Sequence, residues 1–398
     1  MTVTLELTSK EDEAVEELRR RLKNNVKPEM YEDKMLFYRF AKARDFNVDN
    51  SETMLKKHLE WRKEWGIESI LTDYKKNEVS EKYLPTTVLG YDKEGCIARY
   101  VAVGRVDSKG MCMSVKLPEF QKYVFYLMEH DLELMEKQSK KLGKRVDKCF
   151  YIFDFEELSF AQATDRKCIE AFISILLAYQ NNYPERLKAA VAINASMYFS
   201  LAFAVIKAFL TGTVLEKVFI FGTDGWKQEL LKYVDAEELP AFLGGKKNGA
   251  NGDPMCKSFI NFGGKIPEKY YMHRSKRSLA NIPGVKKVVL GRASFHEEKI
   301  GVKEPGSFLE WEFETKTRDI GFGVFLEEII AGEEKITELI PIQRIDTDEY
   351  AETGMYKCEK AGKYVMIFDN TYSWLRSKEI YFKTAVISPK EQNERSLK

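Results

Sequence analysis

Leu187-Lys188-Ala189-Ala190-Val191-Ala192-Ile193-Asn194-Ala195-Ser196-Met197-Tyr198-Phe199-Ser200-Leu201-Ala202-Phe203-Ala204-Val205-Ile206-Lys207-Ala208-Phe209-Leu210 is the stretch on which the fold turns. From Ala189 to Ile206 it runs eighteen residues without a charge, close to the shortest helix that spans a bilayer. The local chemistry favours another reading. Ala189–Ile193 is a short apolar run of the kind shown by a buried parallel strand, and Asn194-Ala195-Ser196 breaks it with turn and cap residues. A helix from Ser200 to Leu210 follows. Strand and then helix is the repeating unit of a parallel sheet, and no bilayer is needed to explain the segment.

The same alternation extends on both sides. Cys149–Phe153 precedes a helix over Thr164–Ala178, and Lys217–Phe221 precedes one over Trp226–Val234. Upstream, Cys96–Val103 reads as a strand after the turn Tyr91–Gly95. Pro118 opens a long helix that reaches Leu142 and stops at Gly143. Apolar strands alternating with helices predict a mainly parallel α/β sheet. Residues 8–66 form a helical lead-in: Thr8 and Glu11 make a capping box, Met35–Phe40 marks a second helix, and Ser51 caps a third. His58 recurs with that third helix's apolar residues and is read as a structural histidine. Gly244–Pro254 is the clearest linker. Beyond it Val285–Leu290, Ser307–Thr315, Asp319–Phe325, Tyr364–Phe368 and Ile380–Ile387 are short, rich in β-branched and aromatic residues, and punctuated by glycine. They predict a separate antiparallel β-sandwich. The expected boundaries are 1–75 for the lead-in, 76–246 for the α/β domain, 247–280 for a connector, 281–390 for the sandwich and 391–398 for a tail.

Charge and cysteine usage narrow the function. With 63 Lys or Arg against 62 Asp or Glu, the net charge is +1, which gives no global field to hold nucleic acid. Six cysteines lie scattered without a C-x-x-C pair, and there are four histidines, so no metal site is expected. Met1–Arg21 has no apolar signal core, which predicts a cytoplasmic protein with reduced thiols. The match of Asn194-Ala195-Ser196 to a glycosylation acceptor is then coincidental.

Catalytic motifs are missing. No G-x-x-x-x-G-K-[ST], strand-borne G-x-G-x-x-G or G-x-S-x-G occurs, and Gly321-Phe322-Gly323 belongs to the β region. Asp154 lies where a strand ends, but Glu156 and Glu157 beside it supply carboxylates without a base. All three are expected to be solvated loop acids, and the protein is not expected to be an enzyme. The unusual feature is the helix around Phe203, whose only charge is Lys207. A helix apolar on every side is either enclosed in a core or alternates between two apolar environments. In the second case it is a lid, formed by Phe199, Leu201, Phe203, Val205, Ile206, Phe209 and Leu210. Phe120, Tyr123, Phe125, Tyr151, Phe153, Phe172 and Tyr179 would then line a lipid cavity; the same aromatics are equally suited to ordinary core.

An ordered set of motifs carries a resemblance. Tyr38–Val48 (Tyr-Arg-Phe-Ala-Lys-Ala-Arg-Asp-Phe-Asn-Val), Gly90–Gly95, Asn182-Tyr183-Pro184-Glu185-Arg186-Leu187, Ile206–Leu210 and Leu239–Gly245 resemble the CRAL-TRIO (Sec-fourteen-like) lipid-binding domain with its helical extension. Asp319–Phe325 and Phe368–Trp374 resemble a GOLD domain, and Asp253–Lys257 with Gly263–Tyr271 resembles the connector between the two. The pairing is similar to the supernatant protein factor or tocopherol-associated protein branch. The resemblance implies a soluble, non-enzymatic carrier with no cofactor other than a bound lipid. Its partners would be the lipid, a transiently met membrane surface and proteins contacted through the sandwich; nucleic acid is not among them. It also implies headgroup contacts by Arg44, Glu185 and Lys217, although for Glu185 and Lys217 an internal salt bridge is an equal alternative. Asp45 stands where phosphoinositide-binding members often carry Lys, Val214 where they carry Thr, Ala208 where Pro is usual and Glu157 where Gly is usual. A neutral cargo such as a tocopherol, squalene or another isoprenoid therefore fits at least as well as a phospholipid such as phosphatidylinositol. The competing expectation is a trafficking or signalling adaptor that senses lipid and recruits proteins through its GOLD domain.

Overall fold

Leu187–Ile193 is a strand in the structure, a computed structural model that describes residues 7–272, 278–316, 318–330, 333–347, 351–374 and 376–396. The ends of the predicted lead-in and tail, and residues 273–277 of the predicted connector, lie outside the described residues. The chain divides into two compact units. The first comprises Met1–Leu158, Ser174–Ser196 and Phe209–Tyr271; the second comprises Ser159–Ile173, Met197–Ala208 and Met272–Lys398.

In the first unit five strands lie in chain order: β1 (Thr86–Tyr91), β2 (Ile97–Val101), β3 (Cys149–Asp154), β4 (Leu187–Ile193) and β5 (Val218–Ile220). β1 runs antiparallel to β2, and the remaining pairs are parallel. Val191 and Ile193 of β4 are fully buried, which explains the apolar run Ala189–Ile193. The helix predicted from Pro118 spans Leu117–Leu142 and ends at Gly143, whose φ of 64° favours a residue without Cβ. In the lead-in, Thr8 and Glu11 form the capping box, and the helix Ser9–Leu22 buries Val15, Leu18 and Leu22. They pack against Phe37 and Phe40 of the helix Lys34–Lys42 and Leu55 of the helix Val48–Trp65. The third helix begins earlier than expected, over Val48–Trp65, because Asn47 caps it by accepting from the Asn50 amide at 3.0 Å. Ser51 is buried one turn inside, its hydroxyl donating to the Asn47 carbonyl at 2.6 Å. The glycine-rich stretch after Leu243 is ordered against the sheet. A Cβ on Gly245 would stand 1.9 Å from the Leu239 carbonyl oxygen, and Cys256 and Ile260 are buried in the sheet's core.

One expectation is corrected at the C-terminal ends of these strands. Asp154 is buried rather than solvated. Its carboxylate accepts from the Tyr100 hydroxyl at 2.7 Å, the Asn194 side-chain amide at 2.8 Å and the Glu156 backbone amide at 3.0 Å. Three donors from three segments replace its lost water. Glu156 and Glu157 do remain exposed, paired with Arg105 at 2.6 and 3.2 Å. Glu157 has a φ of 68°, the left-handed backbone that glycine adopts without strain.

The second unit holds two four-stranded antiparallel sheets, ordered β10-β9-β12-β7 and β11-β8-β13-β6. Their strands are β6 (Lys286–Leu290), β7 (Phe295–Val302), β8 (Phe308–Thr315), β9 (Asp319–Ile330), β10 (Glu333–Asp346), β11 (Glu352–Lys357), β12 (Gly362–Asp369) and β13 (Lys378–Ile387). The β-rich region is therefore a separate antiparallel array, as expected. Phe313, Phe322, Phe368 and Phe382 pack tilted or edge-on through its core, with neighbouring ring centroids 4.8 to 5.4 Å apart. At Gly354 a Cβ would meet the Trp311 indole at 2.3 Å. Two segments from the α/β half of the sequence join this core. Phe160 is part of its buried cluster, and Tyr198 and Leu201 pack against it. Arg166 pairs with Glu310 at 3.2 Å. Among the described residues no helix is long and apolar enough to cross a membrane.

Because Phe160 is a core residue of the sandwich, Phe160→Ala is expected to cost about 3–5 kcal/mol there. Hydrogen exchange should quicken in β8, β9 and β12. Unchanged protection in those strands would show that the sandwich does not depend on this ring.

Candidate functional site

Two cavities in the first unit differ in character. The larger of the two, of about 300 Å3, is lined by ionisable and apolar side chains together, Arg39, His58, Arg62, Glu129, Asn182 and Phe40 among them. It joins the lead-in helices to the helices flanking the sheet. Arg39 projects from the helix Lys34–Lys42 and is buried. Its Nη2 donates to Asp33 at 3.3 Å, while Nη1 lies 3.9 Å from Asp147 without a hydrogen bond. Burial, and then the nearby Arg186 and Arg145, lower its pKa to about 9. Arg62 bridges Glu68 at 2.6 Å and Glu129 at 3.4 Å. The Tyr183 hydroxyl donates to Glu129 at 2.7 Å. Burial raises the Glu129 carboxyl, with Arg62 and Tyr183 opposing. His58 is buried with Nδ1 3.1 Å from the Asn182 side-chain oxygen. Desolvation, reinforced by Arg62, depresses its pKa to about 4, so it is neutral at pH 7 and structural, as its spacing predicts. The site's acids and bases are largely engaged with one another, an arrangement that fixes geometry.

The smaller void, about 10 Å3, lies among Met128, Met135, Cys149, Tyr151, Tyr179 and Tyr183. It holds two of the aromatics proposed from sequence to line a lipid cavity. Tyr151 meets Tyr179 edge-on at 6.4 Å and stacks on Phe153 at 5.6 Å. Burial holds the Tyr151 and Tyr179 hydroxyls well above their ordinary pKa. The other proposed residues are dispersed. Phe125 is wedged between Trp61 and Trp65 at 5.0 and 4.9 Å. Tyr123 stacks on Tyr126 at 6.2 Å, and Phe120 packs beside Val79, Met111, Val115 and Ile266. Phe172, in the second unit, is 38% exposed.

Of the headgroup candidates, Glu185 and Lys217 come together and Arg44 does not join them. Glu185, at a φ of 59°, lies 3.7 Å from Lys217 and 3.3 Å from Lys42. Arg44 instead donates to the Ala43 carbonyl at 3.0 Å. Lys42 is the member that sequence reasoning passed over, although it stands in the same motif two residues before Arg44. Burial opposes its charge, but Glu185 and Tyr38 hold its pKa above the ordinary value.

The apolar helix spans Met197–Ile206, followed by a short turn over Lys207–Phe209. Phe209 and Leu210 thus fall beyond the α-helix predicted to contain them. Gln180 accounts for the earlier stop. Its amide donates to the Phe209 carbonyl at 2.9 Å, and its oxygen accepts from the Thr211 amide at 2.9 Å. Within the helix Phe199 and Val205 are buried, whereas Leu201, Phe203 and Ile206 are only half-buried. Phe199 and Phe203 stack at 5.2 Å, and the Tyr198 hydroxyl bonds to the Gln343 side chain. The helix is therefore not enclosed on all sides.

Residues 81–245 match the family model for the CRAL/TRIO domain. The chain is similar to Protein ctg-1 of Caenorhabditis elegans, 28% identical over 347 residues that cover 86% of this chain and 89% of that protein. Protein real-time of Anopheles gambiae is 31% identical over 250 residues, covering 61% of this chain and 36% of that protein. Protein real-time of Aedes aegypti is 29% identical over 303 residues, covering 74% and 45%. The matched stretch is thus under half the length of these two real-time proteins and most of Protein ctg-1. Among solved structures, that of Sfh5 aligns with 68% of this chain and 93% of its own at 19% identity, with a TM-score of 0.45. The CRAL/TRIO match over residues 81–245 takes in all five strands of the first unit's sheet.

The buried, neutral His58 makes stability depend on pH. Its unfolded-state pKa is near 6.5 and its folded value about 4, so the unfolded chain gains a proton first as the solution is acidified. Stability is complete above pH 6.5 and declines toward pH 4, by roughly 3 kcal/mol for this group. Denaturant titrations from pH 7.5 to 4 should show a shallower decline in His58→Gln than in the wild type. Equal declines would remove His58 as the cause.

Proposed function

We propose that this protein is a lipid carrier: it binds one hydrophobic molecule and moves it between membranes. The observation that carries the reading is the uncharged helix Met197–Ile206, apolar around its circumference yet only half-buried along most of its length. The CRAL/TRIO match over residues 81–245 supports it. Each methylene removed from water is worth about 0.8 kcal/mol, so a lipid tail leaves a bilayer only for an equally apolar place. A helix without a charged face can move between apolar surroundings without stranding a charge. In this reading Met197–Ile206 acts as the lid, with Phe199 and Phe203 as its stacked centre. The strands β6–β13 act as a GOLD-type domain, as the motifs around Gly321-Phe322-Gly323 suggest.

Cargo follows from charge. Lys42 and Lys217 share Glu185, and by the family resemblance Asp45 stands where phosphoinositide-binding members often carry Lys. A neutral isoprenoid or tocopherol-like cargo is therefore proposed ahead of a phosphoinositide.

Organic extraction of the purified protein, followed by mass spectrometry, is expected to yield one lipid class near one molecule per chain. Extracts without lipid, together with no uptake from liposomes, would overturn the carrier. Phe203→Glu is expected to slow lipid exchange by tenfold or more while costing about 1–2 kcal/mol of stability, since Phe203 is half-buried. Global unfolding of this variant would make the helix ordinary core.

A further inference from the structure

We propose that one corner of the β-sandwich is a docking surface for anionic membranes, formed by the loops that join β6 to β7 and β12 to β13. Two large apolar side chains stand exposed there: Trp374 at 79% and Phe295 at 55%. Exposed Trp beside exposed Phe is uncommon on a solvated loop and marks a contact surface.

The corner is built rather than loose. Asn370 is fully buried, and its side-chain amide donates to the Gly291 carbonyl at 2.8 Å and to the Arg376 carbonyl at 3.0 Å, tying one loop to the other. The Asn370 amide donates to the Ser294 carbonyl at 2.9 Å and the Ala293 amide to the Ser373 carbonyl at 3.1 Å. Trp374 and Arg376 are thereby held next to Arg292 and Phe295 with little ordering left to occur on contact, which favours binding.

Charge selects the occupant. Arg292 and Arg376 are exposed, as is Arg318 in the β8–β9 loop at the same end of the strands, and none of the three side chains pairs with a described acid. Of the described acids nearby, Asp369 accepts the Thr371 amide at 2.8 Å within the loop itself, and two others are held by cations. Asp319 is held by Arg344 and by Lys378 at 3.2 Å, and Glu379 by Lys287 at 3.1 Å. Free arginines flanking an indole and a phenyl ring match a bilayer interface, where guanidinium groups meet phosphates and aromatic rings settle at headgroup level. This assignment deepens the carrier reading by naming where the membrane is met, yet it depends on no cargo.

The test uses the full chain and vesicles of phosphatidylcholine with or without phosphatidylserine. Co-sedimentation is expected with the anionic vesicles, weakening with salt, and brominated lipid should quench Trp374 fluorescence. Trp374→Ala, and separately Arg292→Ala with Arg376→Ala, should each weaken binding about tenfold, with thermal unfolding unchanged because all three side chains are exposed. Wild-type binding that survives both variants would overturn the proposal. So would indifference to both vesicle types, which would make the corner a protein-docking site. Lipid transfer that persists while these variants bind normally leaves the carrier standing and removes this surface. Vesicle binding through Trp374 by a chain that extracts no lipid does the reverse.

Discussion

The carboxylate of Asp154 is the constraint on which the rest depends. It sits at the end of β3 and holds the Tyr100 hydroxyl of β2 and the Asn194 side chain just past β4. Asn194 itself turns at a φ of 55°, and the amides of Asn194 and Ala195 bond to the Gly222 and Phe221 carbonyls at 3.1 and 3.0 Å. These contacts end a largely buried strand and release the chain into the apolar helix within three residues. Without them the uncharged run from Ala189 would have no reason to divide. Removing any one donor would leave a buried charge partly unsatisfied, a loss larger than a surface contact can offset.

A second polar arrangement supports the lead-in. Arg39, Arg62 and Arg186 meet Glu129, Asp33 and Asp147 in a partly buried junction. Such clusters contribute less to net stability than their ion pairs suggest, because each charge gives up its water. Their consequence is geometric. The helices bearing Arg39 and His58 can seat in one register only, since a shift would strand several charges together.

Much of this was legible in the sequence. The apolar runs at Cys149 and Leu187 and the Pro118–Gly143 helix signals gave the parallel strands to within two residues, since apolar runs and cap chemistry are local properties. The antiparallel edge strand Thr86–Tyr91 was not among the expected strands, and Tyr91 was read as turn. Three sandwich strands were not visible. Phe295–Val302 carries three charges in eight residues on a sheet edge. In Glu333–Asp346, Pro341 falls within the irregular register between Ile340 and Gln343 of an edge strand, where a missing N–H is tolerated. Glu352–Lys357 contains Gly354, required by the Trp311 ring rather than by a turn. The burial of Asp154 was hidden for a different reason. Its donors come from Tyr100 and Asn194, 54 and 40 residues away, and no local pattern records them. Lys42 was missed in the candidate site because its partner Glu185 is likewise remote in sequence.

The two halves of the sequence are less separate than their textures suggest. Residues 159–173 and 197–208 are read with the α/β domain in sequence but cluster with the sandwich, where Phe160 is core and Leu201 packs against it. The proposed lid therefore belongs to the same compact unit as the β-strands, and its apolar composition serves the sandwich as well as any cargo. The most direct test of the carrier is transfer of a fluorescent isoprenoid or tocopherol analogue from donor to acceptor vesicles by catalytic amounts of the full chain. The account predicts transfer that rises linearly with protein and far exceeds spontaneous exchange. Transfer no faster than in protein-free vesicles, for neutral and anionic lipids alike, would contradict it.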